Sequence, residues 1–395
     1  MTIRSRYNTA RGAAAVLLTT VVSSAVSPFV QASDCNGISV GRVPINDLAT
    51  GLYLGQYQGG WYPGGSNDVP PAHAAEGLSR AISIQALDIN GNPDPDGKYV
   101  LLSIGMSNTT QEFCSQSSDP PCDSWTFMGQ AAVHPDVNQT GLAIVNGARG
   151  GQTSAAWDQP TDANYDRIRD TRLIPLGLSE AQVQIAWVKV ANAGPTVSLP
   201  NPTADANIML AQMGNIARTL KTRYPNLKQA FFSSRIYAGY ASTTLNPEPY
   251  AYEGGFAVKW LIEAQINEMT GGGTHPLAGN LNYDTVAPWI AWGPYLWGDG
   301  LNPRSDGLIW ACADMQSDGT HPAASGEGKV GAMLLQFMLD SRFTSPWFRI
   351  APPPTSVPSH SLFAAIATAC IIGSLACLAI RRTSSVRHST IGGSP

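Results

Sequence analysis

Hydrophobic and polar positions follow two alternating patterns between residues 45 and 345 of the chain. Short apolar, β-branched runs, which are typical of buried strands, occupy residues 99–104, 141–146, 183–190, 229–233 and 308–310. Apolar residues recur at helical spacing over residues 204–223, 255–269 and 323–339. Strands that alternate with helices of this length are typical of a parallel sheet covered by helices. The pattern therefore predicts an α/β fold, a three-layer α/β/α sandwich.

The first residues have the pattern of a signal peptide. Three arginines precede an uncharged run over residues 12–26, and residues 30–32 supply small side chains where a signal peptidase would cut. An uncleaved membrane anchor is the alternative, but the apolar run is short for a membrane span. We therefore expect residues 1–32 to be removed from an exported protein.

The C-terminal end has the pattern of a membrane anchor. Residues 362–380 form an uncharged apolar run, which as a helix would be about 28 Å long, close to the hydrocarbon thickness of a bilayer. Arginines in the tail 381–395 predict a cytoplasmic end, so that the preceding domain faces outward. The proline-rich residues 346–361 are typical of a stiff linker, which disfavours the alternative of a buried core helix. Together these segments resemble the C-terminal sorting tails of bacterial surface proteins, such as the PEP-CTERM kind, although the tail lacks the Pro-Glu-Pro signature.

Charge and composition exclude several classes of function. The formal net charge is −4 and the domain contains no basic run, so the electrostatic footprint that nucleic-acid binding requires is missing. The sequence has no metal-ligand cluster, no phosphate loop and no G-x-G-x-x-G after a strand, so we expect no metal, nucleotide or flavin cofactor. The 39 Gly, 29 Pro and 10 Trp indicate a loop-rich domain with aromatic surfaces, as in proteins that act on carbohydrates or lipids.

The cysteines indicate disulfide bonds. Two of the six lie in the C-terminal apolar run, which leaves Cys35, Cys114, Cys122 and Cys312 in the exported part. Four cysteines allow three pairings, and the short spacing favours a bridge between Cys114 and Cys122, which leaves Cys35 to pair with Cys312. The alternative of a metal site is disfavoured because the sequence has no C-x-x-C motif and no nearby histidine pair.

Candidate chemistry lies where the predicted strands end, because ligands of open parallel sheets bind beyond the carboxyl ends of the strands. Ser107 follows the first predicted strand, and Gly105 would let the chain turn sharply there and expose the hydroxyl. A serine becomes a nucleophile only when a base removes its proton and a carboxylate orients that base. The alternative is a serine in an ordinary turn, so Ser107 needs a matching base elsewhere in the chain.

The string D-G-T-H-P at residues 318–322 supplies such a base. Asp318 and His321 are three residues apart on a turn, so the carboxylate can lie beside one ring nitrogen while the other faces Ser107. The proline that follows stands at the start of a predicted helix, where proline is favoured. The alternative is that Asp318 only caps this helix. His275 lies in a similar Gly-Thr-His-Pro string that has glycine in place of the acid, so we interpret it as a loop histidine.

These blocks, in this order, resemble the SGNH/GDSL hydrolase superfamily over residues 95–340. The resemblance implies a catalytic domain at residues 33–345 with a parallel, flavodoxin-like sheet. It also implies that the domain is a serine hydrolase whose catalytic triad is Ser107, Asp318 and His321.

The resemblance further implies an oxyanion hole, which stabilises negative charge in the transition state. Its donors would be the N–H of Ser107, the N–H of Gly151 and the side chain of Asn192. Gly150 is the alternative to Gly151 as the glycine donor. For the loops that contain Gly151 and Asn192, the alternative is an ordinary turn without a catalytic role. The chain departs from the usual blocks of the family, which indicates a divergent branch. These departures are Met106, Asn108, Gly150, Gln152, Val190 and Ala193.

Aromatic residues are frequent before the last block. They are Trp289, Trp292, Tyr295, Trp297 and Trp310. Aromatic rings stack on sugar rings and on acyl chains, so we expect Trp292, Tyr295 and Trp297 to bind substrate, with core packing as the alternative. Arg235, Tyr237 and Tyr240 follow the fourth predicted strand and are further candidates for the cleft.

The sequence therefore predicts an exported serine esterase that hydrolyses carboxylic esters through an acyl-enzyme, in particular O-acetyl esters of carbohydrates. A lipase or long-chain esterase is one alternative, and a non-catalytic surface protein that binds carbohydrate is the other. We expect the ester substrate to be carried by a polysaccharide and expect no nucleic-acid partner. Attachment to the membrane through the C-terminal helix would hold the enzyme at the cell surface or on the periplasmic side.

Overall fold

The computed structural model describes residues 1–2, 32–115 and 121–350. Residues 3–31 of the predicted signal peptide lie outside the described residues, as do the predicted transmembrane segment, the basic tail and the linker beyond residue 350. Within the described ranges, no helix is long and apolar enough to cross a membrane.

The strands of the described chain form two sheets. They are β1 Leu52–Tyr53, β2 Tyr57–Gln58, β3 Tyr99–Gly105, β4 Leu142–Asn146, β5 Val183–Lys189, β6 Gln229–Phe232 and β7 Trp289–Trp292. β1 and β2 form a small antiparallel ribbon, whereas the other strands form one parallel sheet in the order β4-β3-β5-β6-β7. Numbered along the chain from β3, this order is 2-1-3-4-5, which confirms the predicted flavodoxin-like sheet.

Four of the predicted strands are confirmed as β3 to β6, and the prediction of a fifth strand at residues 308–310 is wrong. The fifth strand is β7, which pairs in parallel with β6. Residues 308–310 form a loop, in which the N–H of Trp310 donates to the carbonyl of Gly300 and its indole to that of Leu296. Both segments are short and end in tryptophan, so the local pattern did not reveal which one pairs with the sheet.

Helices cover both faces of the parallel sheet. They are α1 Ile45–Leu48, α2 Pro71–Ile82, α3 Ser107–Phe113, α4 Phe127–Val133, α5 Ala163–Ile168, α6 Asp205–Arg223, α7 Tyr250–Met269, α8 Ala324–Asp340 and α9 Ser345–Phe348. α8 packs against α3 and α4, while α6 packs against α7. Every residue of β3 and β5 is buried, as expected for parallel strands that are covered on both faces. The three-layer α/β/α sandwich is therefore confirmed.

Two disulfide bonds join the cysteines as the sequence favoured. Cys35 pairs with Cys312 with a Cα–Cα distance of 5.4 Å, and Cys114 pairs with Cys122 at 4.5 Å. The first bond ties the start of the described domain to the segment that leads into residues 318–321. The second closes a short loop after α3.

The packed domain extends further towards the C-terminus than the sequence pattern indicated. The predicted linker began at residue 346, but Trp347 and Phe348 of α9 are buried in the core. The indole of Trp347 donates to Gln229 Oε1 of β6 at 3.1 Å. Residues up to 350 therefore belong to the domain.

Candidate active site

The turn between β3 and α3 presents Ser107 at the carboxyl edge of the sheet. β3 ends at Gly105, and Ser107 is the first residue of α3. Gly105 has φ +155°, and a Cβ atom there would lie 2.0 Å from the carbonyl oxygen of Lys189, so only glycine fits. The N–H of Met106 donates to Thr109 Oγ1 at 3.2 Å and fixes the turn. The half-buried hydroxyl of Ser107 therefore has a defined position.

The Asp-Gly-Thr-His turn places Asp318 and His321 side by side. His321 Nδ1 lies 2.6 Å from Asp318 Oδ2, and His321 Nε2 lies 2.8 Å from Ser107 Oγ. The backbone N–H groups of Thr320 and His321 donate to Asp318 Oδ1 at 2.9 and 3.0 Å. Gly319 permits this tight turn, because it has φ +64° and a Cβ atom there would lie 1.8 Å from a backbone carbonyl oxygen. The structure thus brings the predicted triad into one hydrogen-bonded chain.

Hydrogen bonds keep the Asp318 carboxyl ionised. Burial raises the pKa of this carboxyl, but the ring of His321 and the N–H groups of His321 and Thr320 donate to it and lower the pKa to about 2. An ionised Asp318 accepts a hydrogen bond from the N–H at Nδ1 of His321, which leaves Nε2 free to accept a proton from Ser107. This is the arrangement that activates a serine hydroxyl.

Ser107 and His321 open into a cavity of about 260 Å³, which we name the serine cavity. Gly151 and Asn192, the residues predicted for the oxyanion hole, both line it. Gly151 has φ +74°, and a Cβ atom on the neighbouring Gly150 would lie 3.8 Å from Ser107 Cβ. Gly150 is therefore close to the nucleophile and Gly151 lines the same cavity as Ser107, so both are candidates for the backbone donor.

The side chain of Asn192 is held in place by two polar neighbours. Its Nδ2 donates to Asp205 Oδ1 at 3.0 Å, and its Oδ1 accepts a hydrogen bond from Ser154 Oγ. A carboxamide has two N–H donors on the same nitrogen, so the bond to Asp205 leaves one for a ligand in the serine cavity. The structure thus fixes the orientation of the amide before a substrate arrives.

Asn108 and Arg235 both donate to one carbonyl oxygen, that of Thr320. Asn108 Nδ2 lies 3.1 Å and Arg235 Nη2 lies 3.2 Å from this oxygen. Asn108 follows Ser107 and Thr320 precedes His321, so this bond runs beside the contact between serine and histidine. Both donors are buried, at 1% and 3% exposure. The sequence showed Asn108 only as a departure from the family pattern, and no local signal links it to Thr320.

A buried ion pair lies beneath the nucleophile. Lys189 at the end of β5 donates to both carboxylate oxygens of Glu112 on α3, and both side chains are fully buried. Burial raises the pKa of Glu112 and lowers that of Lys189, whereas the bonds between the two groups oppose both shifts. The pair joins the helix that carries Ser107 to the strand that leads to Asn192. Sequence reasoning missed it, although a lysine at the end of a largely apolar strand was a signal.

The aromatic residues predicted to bind substrate, Trp292, Tyr295 and Trp297, do not line the serine cavity. Trp297 is fully buried, and its indole donates to Glu248 Oε1 at 2.8 Å. Trp292 and Tyr295 line a different cavity, described below. The reason is topological: β7 lies two strand positions from β5, which is about 10 Å at the usual strand spacing.

The other candidates for the cleft divide in the same way. Arg235 lines the serine cavity, but Tyr237 and Tyr240 are buried and donate their hydroxyls to the backbone carbonyls of Gly37 and Trp310. The backbone N–H groups of Leu277 and Ala278 donate to Nδ1 of His275 within one loop, as expected of a loop histidine. In the described residues, no group of three or more His, Cys, Asp or Glu side chains could hold a metal ion.

Comparisons with known proteins give matches among solved structures alone. No protein-family model matches the chain. No curated protein is similar to it in sequence. A salicylyl-acyltransferase from a tetracycline biosynthetic pathway matches 61% of this chain with 14% identity and a TM-score of 0.31, and this chain spans about half, 54%, of that protein.

Two further structures match a similar share of the chain. One is described as a putative GDSL-like lipase from Parabacteroides merdae, with 9% identity, a TM-score of 0.31, and coverage of 64% of this chain and 97% of that one. The other is an extracellular lipase from Streptomyces rimosus, with 14% identity, a TM-score of 0.28, and coverage of 60% and 97%.

Proposed function

We propose that this protein is a serine esterase of the SGNH type that its sequence blocks resemble. The observation that carries the proposal is the hydrogen-bonded chain from Ser107 Oγ through His321 to Asp318, which opens into the serine cavity. Gly151 and Asn192 lie in the same cavity, where oxyanion donors are needed. Candidates for the nucleophile, the base, the orienting carboxylate and the oxyanion donors therefore lie together, which supports the proposal.

The proposed reaction proceeds through an acyl-enzyme. His321 Nε2 accepts the proton of Ser107 Oγ as that oxygen attacks the ester carbonyl carbon. Negative charge moves to the carbonyl oxygen, which accepts hydrogen bonds from the N–H of Ser107, from Gly151 or its neighbour Gly150, and from Asn192 Nδ2. Collapse of this intermediate breaks the ester bond, and the proton on His321 goes to the leaving alcohol. His321 then accepts a proton from a water molecule as the water oxygen attacks the acyl carbon. The bond between the acyl carbon and Ser107 Oγ breaks, the proton on His321 returns to Ser107 Oγ, and the acid leaves.

The size of the serine cavity supports a short acyl group. Its volume of about 260 Å³ is below the range of roughly 300–1,000 Å³ that is usual for ligand pockets. An acetyl group fits such a space, whereas a long acyl chain would extend beyond it. We therefore propose O-acetyl esters of carbohydrates as substrates, ahead of the long-chain esters of a lipase.

We also propose that the enzyme acts outside the cytoplasm, anchored by its C-terminal segment. Two disulfide bonds in the described domain support an oxidising compartment. The charge pattern of both chain ends supports export and an outward-facing domain.

The central test is Ser107→Ala, assayed by hydrolysis of p-nitrophenyl acetate. We expect turnover to fall by about 10³- to 10⁶-fold, because no other group would replace the activated hydroxyl. The matched control is Ser79→Ala on the exposed face of α2, which should hydrolyse the ester at the wild-type rate. Wild-type turnover by the Ser107→Ala variant would contradict the proposal.

Two further measurements separate the alternatives. A fluorophosphonate probe should label the wild type and leave the Ser107→Ala variant unlabelled, whereas a non-catalytic binding protein would not react at all. p-Nitrophenyl esters from acetate to palmitate should lose turnover as the acyl chain grows. A maximum at long chains would favour a lipase.

A further inference from the structure

A second cavity, of about 540 Å³, lies against the edge strand β7 and the C-terminal half of α8, and we name it the aromatic cavity. Six aromatic side chains contribute to its lining: Trp61, Tyr62, Trp292, Tyr295, Phe337 and Phe343. Trp292 and Tyr295, which the sequence analysis predicted to bind substrate, are two of these six residues. The proposed ester hydrolysis uses none of them.

The aromatic cavity is separate from the serine cavity. Among the described residues, no residue lines both. His321 lies just before the first turn of α8, whereas Phe337 and Asp340 lie in its last turn. A helix of 17 residues is about 25 Å long, so the aromatic cavity is far beyond the reach of a bound acetyl group.

The rings of the aromatic cavity are held in fixed positions. The indole of Trp292 donates to the carbonyl oxygen of Trp61 at 2.8 Å. The rings of Trp292 and Tyr295 pack edge to face, with centroids 5.6 Å apart. Trp292 and Tyr295 are buried and form the floor, while Trp61 and Phe337 are half-buried at its sides. A ligand would therefore meet ring surfaces that need little reorganisation.

The polar groups in the lining of the aromatic cavity favour an uncharged ligand. Arg304 is the one Lys or Arg side chain in the described lining, and it is occupied, because Nε and Nη2 donate to Asp306 at 2.8 and 2.6 Å. The carboxylate of the exposed Asp340 accepts a hydrogen bond from the exposed Gln336. The lining thus has two carboxylates and one paired cation, which disfavours phosphates and carboxylates as ligands.

We propose that the aromatic cavity is a second, non-catalytic binding site for a neutral sugar unit of a carbohydrate chain. Aromatic rings match the apolar faces of a sugar ring, and Asp340 and Gln336 supply acceptors and a donor for its hydroxyls. The site would hold one part of a polysaccharide while Ser107 acts on an ester elsewhere along it. This last step rests on the proposed function, whereas the binding itself does not.

The test measures binding in a protein that cannot hydrolyse the ligand. Full-length Ser107→Ala protein would be titrated calorimetrically with three neutral polysaccharides, a xylan, a glucomannan and a galactomannan, and with anionic polygalacturonate. We expect saturable binding of at least one neutral polymer and weaker or no binding of polygalacturonate. Trp61→Ala, added to the Ser107→Ala protein, should weaken the affinity by at least about tenfold, because the half-buried indole of Trp61 is a large ring surface that a ligand can contact. Trp125→Ala, at an exposed tryptophan outside the lining, is the matched control and should bind as before.

A second variant protects the test against misfolding. Gln336 and Asp340 are exposed helix residues, so Gln336→Ala with Asp340→Ala should fold and still weaken binding by about tenfold, since hydroxyl partners are lost. Binding that is unchanged in both site variants would overturn the proposal, as would failure of all three neutral polymers to bind or a preference for polygalacturonate. Hydrolysis of p-nitrophenyl acetate by the wild-type protein tests the proposed function, whereas polysaccharide binding by the Ser107→Ala protein tests the second site. Failure of one proposal is therefore distinguishable from failure of the other.

Discussion

The serine cavity and the aromatic cavity are built from different kinds of groups. Around the serine cavity, polar side chains converge from the start of α3, the loops after β4, β5 and β6 and the turn before α8, and a buried ion pair joins α3 to β5. Around the aromatic cavity, rings pack on one another and polar groups lie at the rim. A reaction that develops charge needs donors and a base held in fixed positions, whereas recognition of a neutral ring needs preformed surfaces. The comparison indicates chemistry in the first cavity and recognition in the second.

Among the variants that compare the two cavities, Asp318→Asn has the largest expected effect. The amide keeps the size of the side chain but removes the charge that orients His321 and stabilises its protonated form. We expect kcat for p-nitrophenyl acetate to fall by about 10⁴-fold. Asp284→Asn, at an exposed aspartate that pairs with Arg80 on the surface, is the matched control and should retain activity. Equal activity of the Asp318→Asn variant and the wild type would contradict the conclusion that the serine cavity, unlike the aromatic cavity, depends on a fixed charge.

The same variant has a signature in pH-dependent stability. Because the folded-state pKa of Asp318 is lowered to about 2, its ionised form stabilises the fold above about pH 4, the ordinary aspartate range. This contribution is lost as the pH falls through about 2. The difference in unfolding temperature between wild type and Asp318→Asn should therefore be largest near neutral pH and shrink in acid.

Local sequence was enough to predict the parts of the site that lie close together along the chain. Asp318 and His321 share one turn, and Gly105 with Ser107 marks the sharp exit from a strand whose continuous apolar run is a strong local signal. The order of the sheet came with the family resemblance. These features depend on spacing of a few residues, which the sequence shows directly.

Long-range contacts account for what the sequence did not reveal. Asn108 and Arg235 become meaningful only because they meet at Thr320, a residue more than 80 positions from either donor along the chain. The assignment of each tryptophan to a core, a cavity or a strand depends on the position of β7 at the sheet edge. Periodicity within a short aromatic run carries no information about that position.

A smaller effect is expected from Asn108→Ala. This variant tests whether polar side chains outside the triad contribute to catalysis in the serine cavity. The substitution removes one of the two donors to the Thr320 carbonyl, so His321 should be held less firmly and kcat should fall by about tenfold with little change in KM. Asn108 Oδ1 has no hydrogen-bond partner among the described residues, and Arg235 still donates to the Thr320 carbonyl in the variant, so the free energy of unfolding should fall by only about 1 kcal/mol. Asn108→Asp should be worse than alanine, because a carboxylate would face a carbonyl oxygen. A loss of stability in parallel with activity would indicate a purely structural role.

The smallest effect on hydrolysis is expected from Trp297→Phe, because Trp297 lines neither cavity and serves the core. Its indole donates to the buried Glu248, and burial raises the pKa of that carboxyl. Phenylalanine would remove this donor and part of the ring, so the free energy of unfolding should fall by about 1–3 kcal/mol. Because the serine cavity is untouched, kcat/KM for p-nitrophenyl acetate should stay within about twofold of wild type in conditions where the variant is folded. A tenfold loss of hydrolysis without loss of stability would instead extend the ester site towards β7 and erase the boundary between the two cavities.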